Sequence, residues 1–223
     1  MSKRSAIKRE PDSAVRRARK MEKILDCAEK EFATHGYSET PLHRISTAAK
    51  VNQALLSYYF GSKEGLYLAV FKRRGVELTG ERLRLLDELV KRKGKPPAVE
   101  ELIRSFIAPA IDMWYQGGDR RNFLRLQARL QNEPKAITGK LRASVYDEAT
   151  RRFIGHFKAA LPKVDPDAIV WRMVMMLGAY LYIVADASRL EQLSDGRCHV
   201  GEQEEVMRQL MAFLTGGFKF PLA

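Results

Sequence analysis

The sequence predicts an all-α protein with a small N-terminal region and a larger C-terminal region. Apolar residues recur at steps of three and four along most of the 223 residues, which is the spacing of one face of an α-helix. No useful stretch alternates apolar and polar residues, as a half-buried strand would. Segments rich in Gly, Pro and Asn separate the helical stretches. These observations favour helices throughout.

The first predicted helix has one apolar face and ends before a glycine. Its apolar residues follow helical spacing: Met21, Ile24, Leu25, Ala28 and Phe32. Gly36 follows His35 and suits the left-handed conformation that closes many helices. We therefore predict a helix that ends at His35. Arg16, Arg17, Arg19 and Lys20 directly precede it, after a disordered basic arm over residues 1–15.

Two short helices joined by a tight turn are predicted next. Thr40 and Pro41 have the character of an N-cap and a first helical position. The apolar stripe of this second helix consists of Leu42, Ile45 and Ala49. A turn at Lys50 leads to Asn52, which is a favoured N-cap for a third helix through about Tyr59.

A fourth helix completes the N-terminal pattern. Gly61 ends the third helix, and Ser62 caps the fourth, which has Lys63 in its first turn. Two such short helices with a tight turn between them form a helix-turn-helix pattern. Helices this short are unstable alone in water, so packing against the first and fourth helices must hold them. We predict a helix-turn-helix domain over residues 16–62.

Residues 63–223 are predicted to form a larger helical domain. Its helices are predicted near 63–93, 98–116, 120–131, 136–160, 166–188 and 201–215. The last two are apolar on more than one face, which favours pairing with their two-fold mates in a dimer. The interface candidates are Met173, Met176, Leu177, Tyr180, Val206, Leu210 and Phe213.

Large apolar residues with a few polar groups on the middle helices are candidates for a small-molecule pocket. They are Phe106, Met113, Trp114, Phe123, Gln127, Tyr146, Trp171 and Met175. Their composition indicates a mostly apolar ligand. The alternative for both the pocket and the interface residues is ordinary core within one subunit.

The charge of the chain points to a polyanionic partner. The formal net charge is +12, and half of it lies in the first twenty residues, which carry eight Lys or Arg and two acids. A strongly basic balance is typical of proteins that bind nucleic acid. The alternative for the basic terminus is a solubilising tail.

Cysteine usage and hydropathy predict a cytoplasmic protein without a membrane span. Cys27 and Cys198 are the two cysteines of the chain, too few for a disulfide framework. The N-terminus lacks the apolar stretch of a signal peptide. The longest uncharged apolar run, residues 173–185, is shorter than a bilayer-spanning helix requires.

Catalytic and metal-binding patterns are absent from the sequence. It has no phosphate-binding glycine loop, no His-Glu-x-x-His and only four histidines. The acids at 202, 204 and 205 fall at a predicted helix start, where they favour the helix dipole. We therefore predict no enzyme activity, no metal and no cofactor. Two other classes stay open: an architectural or RNA-binding helical protein, and an all-α enzyme or acyl carrier partner.

The segment ILDCAEKEFATHGYSETPLHRISTAAKVNQALLSYYFGSKEGL resembles the DNA-binding domain of TetR-family transcriptional regulators, over about residues 19–68. The ILDxAxxxF helix, the HGY turn, Thr40, Ile45 with Ala48-Ala49, and YYFGSKEGL agree in order and spacing. The later WRMVMMLGA run and the QNEP segment are similar to a subset of the family.

This resemblance implies a homodimeric, ligand-responsive repressor. Its N-terminal helices would bind a palindromic operator in double-stranded DNA. Its remaining helices would hold the dimer interface and a pocket for a small hydrophobic effector that releases the DNA. The similarity to a subset of the family favours a fatty-acyl effector.

The resemblance also assigns DNA-contacting roles. The third helix would enter the major groove, where Gln53 suits adenine and Ala54 or Leu55 a thymine methyl. Tyr58 and Tyr59 would donate to phosphates, unless they belong to the core. The candidates for DNA contact are Arg16, Arg17, Arg19, Lys20, Thr40, His43, Arg44, Lys50, Asn52, Gln53, Ala54, Leu55, Ser57, Tyr58, Tyr59 and Lys63. For Arg44 the alternative is a solvated surface charge.

Three residues depart from the family pattern. Lys50 stands where glycine is usual, so a left-handed conformation there would cost about 1 kcal/mol relative to glycine. Ala54 also replaces a common glycine, and Ser57 replaces a frequent tyrosine. These departures concern the operator sequence and not the fold.

Overall fold

The computed structural model describes residues 10–92 and 95–221 of the chain. These residues form helices and connecting loops, without any strand among them, which confirms the predicted all-α fold class. The chain divides into two compact units, Met1–Val70 and Phe71–Ala223. The division falls inside one long helix.

The first unit contains three complete helices and the beginning of a fourth. They are α1 (Glu10–His35), α2 (Leu42–Ala49), α3 (Gln53–Phe60) and α4 (Lys63–Val90), which continues into the second unit. The predicted short second and third helices are therefore present. The first helix begins earlier than predicted and includes residues 10–15. The rest of the predicted disordered arm, residues 1–9, lies outside the described part of the chain.

Apolar and aromatic side chains from all four helices form the core of the first unit. Its buried residues include Ile24, Ala28, Phe32, Ile45, Ala49, Leu56 and Leu66. Tyr67 packs edge to face against Phe32, with ring centroids 4.9 Å apart, and against Tyr37 at 5.1 Å. Aromatic pairs of this geometry add to the free energy gained by burial. This packing stabilises α2 and α3, which are too short to be stable alone.

Left-handed residues shape the turns on both sides of α2, as predicted. Gly36 has a φ of 81° directly after α1. Lys50 has φ 56° and ψ 48°, and its N–H donates to the carbonyl of Thr47. The chain then enters α3 through Asn52, whose Oδ1 accepts a hydrogen bond from the Ala54 N–H at 2.9 Å. The turn between α2 and α3 therefore contains the left-handed Lys50 and ends at Asn52, the N-cap of α3.

The beginning of α2 differs from the prediction. The N-cap is Pro41, without a side-chain hydrogen bond, and the helix begins at Leu42. Thr40 is completely buried, and its hydroxyl donates to the Gly36 carbonyl at 2.7 Å. Thr40 therefore closes the loop after α1 and does not cap α2.

The second unit contains the rest of α4 and seven further helices among the described residues. They are α5 (Val99–Tyr115), α6 (Gly118–Arg129), α7 (Lys135–Leu141), α8 (Asp147–Ala160), α9 (Pro166–Ala185), α10 (Ser188–Leu193) and α11 (Gln203–Lys219). A 3₁₀ turn at Leu130–Asn132 follows α6, and a π-helical segment at Arg142–Tyr146 joins α7 to α8. The predicted helix over 136–160 is therefore divided, and α10 was not predicted. The π-helical segment contains neither Gly nor Pro, so the sequence carries no signal of the change.

Gly75 of α4 lies against the π-helical segment. A Cβ placed on Gly75 would stand 2.5 Å from Cγ1 of Val145 and 3.2 Å from the Tyr146 hydroxyl. The first distance is well inside the contact distance of two carbon atoms. The close approach of α4 to this segment therefore requires glycine at position 75.

The core of the second unit is rich in aromatic residues. Phe106 and Phe153 pack edge to face at 4.9 Å, and Phe157 and Phe218 stack at 4.4 Å. The buried Arg172 of α9 donates to the carbonyls of Phe218 at 2.6 Å and Phe220 at 2.7 Å. Carbonyls at the end of a helix lack partners within the helix. Arg172 therefore ties the end of α11 to α9.

Among the described residues, α9 is the one helix whose length and composition alone would let it cross a membrane. The apolar run at 173–185 is a part of this longer helix, which begins at Pro166. The mean hydropathy of its most apolar window is 1.8, and 44% of that window is buried. Core helices of folded domains have the same properties, and Arg172 in α9 binds the backbone of its own unit.

The two cysteines are free thiols. Cys27 is half-buried on α1, and burial raises the pKa of its thiol. The neutral thiol behaves as a small hydrophobe. Cys198 is exposed.

Candidate nucleic-acid interface

One side of α3 faces solvent. Gln53, Ala54, Ser57 and Tyr58 are exposed, with 72% of Tyr58 accessible, whereas Leu56 is buried. This face offers an amide, an aliphatic hydroxyl and a phenol, which are groups that bind base edges and phosphates. The exposure of Tyr58 excludes the alternative that its ring belongs to the core.

A cation from α1 lies beside the tyrosines of α3. The guanidinium carbon of Arg17 lies 5.9 Å from the ring centroid of Tyr58 and 5.4 Å from that of Tyr59. Both distances are within the range of a cation–π interaction. We call these three residues the Arg17–tyrosine cluster. The sequence placed Arg17 in front of the first helix, whereas the structure places it within α1 and next to α3.

Other basic residues lie close to Arg17 in the sequence of α1. Arg16, Arg19 and Lys20 are exposed on α1. They therefore lie within the first helix, whereas the sequence analysis placed them directly in front of it. A charge on a helix has a fixed position, which orders it better than a charge on a flexible chain.

The exposed residues of α2 include a candidate that is already paired. Arg44 lies 2.9 Å from the carboxylate of Glu31, measured from Nε to Oε2. Surface ion pairs contribute little stability, but this one orients the guanidinium. His43 is exposed beside it. Lys50, at the turn that follows α2, is exposed as well.

Lys63 fastens the beginning of α4 to the loop after α1. Its ammonium donates to the Ser38 carbonyl at 3.1 Å and lies 4.5 Å from the ring centroid of Tyr37. The hydroxyl of Ser62 accepts a hydrogen bond from the Gly65 N–H at 3.0 Å, which confirms the predicted helix cap. Lys63 therefore has a structural partner in addition to its predicted role toward phosphate.

Thr40 was a candidate for DNA contact, but the structure does not place its side chain at the surface. Its side chain is buried and its hydroxyl is bound to Gly36. Contact of that side chain with DNA would require the loop after α1 to open. Asn52 and Leu55 remain at the surface, exposed and partly exposed respectively.

The pocket candidates separate into two groups. Five are buried in the second unit: Phe106, Met113, Trp114, Phe123 and Gln127. Tyr146 is partly exposed. Trp171 and Met175, in contrast, are 66% and 62% exposed on α9. The structure does not bring these two exposed side chains together with the five buried candidates, and their role in a pocket stays a prediction.

Most of the predicted dimer-interface residues are buried within the single chain. Met173, Met176, Tyr180, Val206 and Leu210 are buried within their own unit, so their side chains are core. Leu177 is partly exposed, and Phe213 of α11 is 71% exposed. The apolar residues that α9 does expose are Val170, Trp171, Val174, Met175 and Tyr182. We call these five the outer face of α9.

An open cleft of about 810 Å³ lies between α5 and α11. Its lining combines charged residues such as Arg104 and Asp112 with Met207 and Met211. Asp112 accepts a hydrogen bond from the Gln203 amide, and burial raises the pKa of its carboxyl group. In the described ranges, no group of three or more His, Cys, Asp or Glu is arranged to hold a metal ion.

Two family models match the chain. Residues 24–70 match the model of bacterial regulatory proteins of the tetR family. Residues 104–217, half of the chain, match a tetracyclin repressor-like C-terminal domain. With the helix-turn-helix unit and the helical second unit described above, these matches define a DNA-binding transcriptional regulator and not an enzyme. The chain belongs to the TetR family.

Curated relatives are similar to parts of the chain. The HTH-type transcriptional repressor NicS of Pseudomonas putida is 41% identical over 54 residues, which cover 24% of this chain and 26% of NicS. The HTH-type transcriptional regulator RutR of Escherichia coli is 28% identical over 153 residues, 68% of this chain and 69% of RutR. The match to NicS therefore spans about a quarter of that protein's length.

Solved structures share the fold. A TetR-like transcriptional regulator from a Rhodococcus species has a TM-score of 0.65 at 18% identity, covering 96% of this chain and 100% of that one. FadR from Bacillus subtilis, solved in complex with stearoyl-CoA, has a TM-score of 0.64 at 14% identity, covering 88% and 98%. At these identities the likeness concerns the fold alone.

Proposed function

We propose that this protein is a cytoplasmic, dimeric transcriptional repressor that binds a palindromic operator and is released by a small, mostly apolar effector. The observation that carries the proposal is the exposed polar face of α3 with the Arg17–tyrosine cluster beside it. The net charge of +12 supports a polyanionic partner. NicS, a relative over 54 residues, is itself named a repressor.

In this proposal α3 reads base edges in the major groove. Gln53 hydrogen-bonds an adenine, and Ala54 and Leu55 contact a thymine methyl. Tyr58 and Tyr59 donate to phosphates, and the exposed cations of α1 add affinity by releasing counterions. Exposure of Gln53 and Tyr58 supports these roles.

The outer face of α9 is the proposed dimer interface, together with Phe213 of α11. Val170, Trp171 and Val174 repeat at helical spacing and are exposed in the single chain. Large apolar residues grouped on one face are typical of protein interfaces. A two-fold axis would pair each face with its copy, which buries both. Two linked α3 helices then read half-sites about 34 Å apart.

The effector is proposed to bind within the second unit. The buried candidates there are aromatic or thioether side chains, such as Phe106, Met113 and Trp114, with the amide of Gln127. Side chains of this composition suit a mostly apolar ligand. FadR, which shares the fold, was solved with stearoyl-CoA. A fatty-acyl compound is therefore the favoured class of effector.

Footprinting tests the proposal directly. Genomic fragments that the purified protein retains are sequenced and then probed with the wild-type protein and with Gln53→Ala. A repressor protects a palindrome of two half-sites, and a compound screen for thermal stabilisation identifies ligands that also release it. Protection without a defined sequence, or stronger binding to RNA than to DNA, would contradict the proposal and favour an architectural or RNA-binding role.

A further inference from the structure

The carboxylate of Glu31 lies between two basic side chains near the end of α1. Its Oε2 is 2.9 Å from Nε of Arg44, on α2, and 3.8 Å from Nε2 of His35, one turn further along α1. This oxygen is shielded from solvent and accepts no hydrogen bond of regular geometry from the described residues. A buried carboxylate oxygen is unfavourable unless a cation or a donor compensates it. We therefore expect Glu31 and Arg44 to be coupled more strongly than a fully exposed ion pair.

The loop that joins α1 to α2 holds the backbone around Glu31 in place. The buried hydroxyl of Thr40 donates to the Gly36 carbonyl at 2.7 Å and lies 3.4 Å from the Glu31 carbonyl. The loop therefore folds back over the last turns of α1. Because this part of the chain is already ordered, the Glu31 carboxylate is a fixed anchor for the flexible side chain of Arg44.

Arg44 keeps most of its donors available. A guanidinium carries five N–H donors in a rigid planar fork, and Arg44 approaches Glu31 through Nε. In residues 10–92 and 95–221, Nη1 and Nη2 of Arg44 donate no hydrogen bond, and its side chain is 47% exposed. Arg44 can therefore contact the Glu31 carboxylate through one edge and bind a second anion through its Nη donors.

We propose that Glu31 is a positioning residue for DNA binding, which holds the Arg44 guanidinium so that its Nη donors meet a phosphate of the operator. The first helix of a helix-turn-helix motif crosses the DNA backbone, and α2 is that helix in this chain. This inference rests on the proposed operator binding and adds a residue that does not itself touch DNA. An arginine that is already held loses less rotamer freedom on binding, so the ordering cost of the phosphate contact is smaller.

The sign of one substitution separates this role from simple electrostatics. Two anions repel each other, so a carboxylate close to a phosphate weakens DNA binding by its charge alone. On that account, removal of the Glu31 charge strengthens binding. If Glu31 positions Arg44, its removal weakens binding instead, because the guanidinium is no longer held. The two accounts therefore predict opposite outcomes.

Glu31→Gln keeps the shape of the side chain and removes its charge. Titration of a fluorescent duplex that carries the footprinted palindrome should show binding about threefold to tenfold weaker than wild type, the range expected when one arginine must be ordered on binding. Glu39→Gln is the matched control. Glu39 is an exposed acid in the loop before α2 and has no ion pair in the described part of the chain. Its variant should bind at least as tightly as wild type.

A second set of variants tests whether the effect passes through Arg44. In an Arg44→Ala background, Glu31→Gln should no longer weaken binding, because no guanidinium remains to be positioned. Weakening of the same size in both backgrounds would assign Glu31 to the folding of the unit and overturn the inference. Arg44→Lys keeps the charge but lacks the planar fork, so it should bind about as weakly as Arg44→Ala. A lysine variant that binds like wild type overturns the inference even if Glu31→Gln does not fold.

The wild-type titration separates this inference from the proposed function. A wild-type protein that protects no palindrome overturns both. If wild type binds the palindrome and Glu31→Gln binds it equally or more tightly, the proposed function stands and the role of Glu31 is overturned. Weaker binding of Glu31→Gln that disappears in the Arg44→Ala background, with Glu39→Gln unaffected, supports the inference.

Discussion

The guanidinium carbon of Arg17 lies 5.4 Å from the ring centroid of Tyr59, so that a cation of α1 is held against the helix that is proposed to read DNA. This contact gives Arg17 two roles in the proposed interface. It adds positive charge, and it orients the tyrosines that donate to phosphates.

The first prediction compares two arginines of α1. Arg17→Ala and Arg19→Ala each remove one charge, so each should lower the salt dependence of operator binding by about one unit if that charge lies at a phosphate. Arg17→Ala should cost about 0.5–1 kcal/mol more, because it also removes the cation–π contact with Tyr58 and Tyr59. Titrations at two salt concentrations measure both quantities. Equal losses would show that the cluster does not orient the tyrosines for binding.

Gln53 is predicted to specify one base position in each half-site. Gln53→Ala should relax the preference there by about 1–3 kcal/mol, the cost of a lost bidentate contact. Selection from a random duplex library measures this change. An unchanged consensus would move base reading to α2 and His43.

Lys50 is predicted to carry backbone strain. Its left-handed φ of 56° should make Lys50→Gly more stable by about 1 kcal/mol. Ala48→Gly, in the exposed part of α2, should instead destabilise by about 1 kcal/mol. Thermal unfolding measures both. A destabilised Lys50→Gly variant would mean that the lysine side chain outweighs the strain.

The outer face of α9 is predicted to hold the dimer together. Trp171→Arg should yield a folded monomer, because the side chain is exposed in the single chain and an interface would bury its charge. Leu210→Arg should unfold the second unit, because that position is core. Leu190→Arg, exposed on α10, should leave the dimer intact. Light scattering and circular dichroism distinguish the three outcomes, and a dimer of Trp171→Arg would disprove this interface.

Removal of residues 1–9 is predicted to weaken operator binding. This segment carries four Lys or Arg and no acid. Its deletion should cut affinity several-fold and flatten the salt dependence, with the same base preference, because a basic arm contributes mainly through counterion release. Affinity that equals the full-length value at physiological salt would assign the arm a solubilising role.

Local signals predicted the first unit well. Gly36, Asn52, Gly61 and Ser62 mark helix ends through backbone chemistry that depends on neighbouring residues. The structure has all four where the sequence placed them. Contacts between distant residues were not predictable in this way. Arg17 meets α3 only because the tertiary packing of α1 brings it there.

The second unit shows the same limit more strongly. An α9 with apolar residues on all sides leaves open which face is core. The sequence analysis assigned Met173, which is buried, to an interface, and Trp171, which is exposed, to a pocket. Helical periodicity identifies a face only when the opposite one is polar. The burial of Arg82 on α4 was not predicted for a related reason. A charged residue in a helix is ordinarily a surface residue, and the burial of Arg82 depends on its hydrogen bonds to Phe106 and Tyr180, which are distant in sequence.

The spacing between α4 and the π-helical segment depends on Gly75, whose side chain is a single hydrogen atom. Any other residue there would place a carbon atom 2.5 Å from Val145, so tolerance to substitution at this position depends on whether the π-helical segment can move. Glycine inside a helix costs about 1 kcal/mol relative to alanine. A side chain at position 75 is therefore expected to displace Val145, although the glycine itself contributes no functional group.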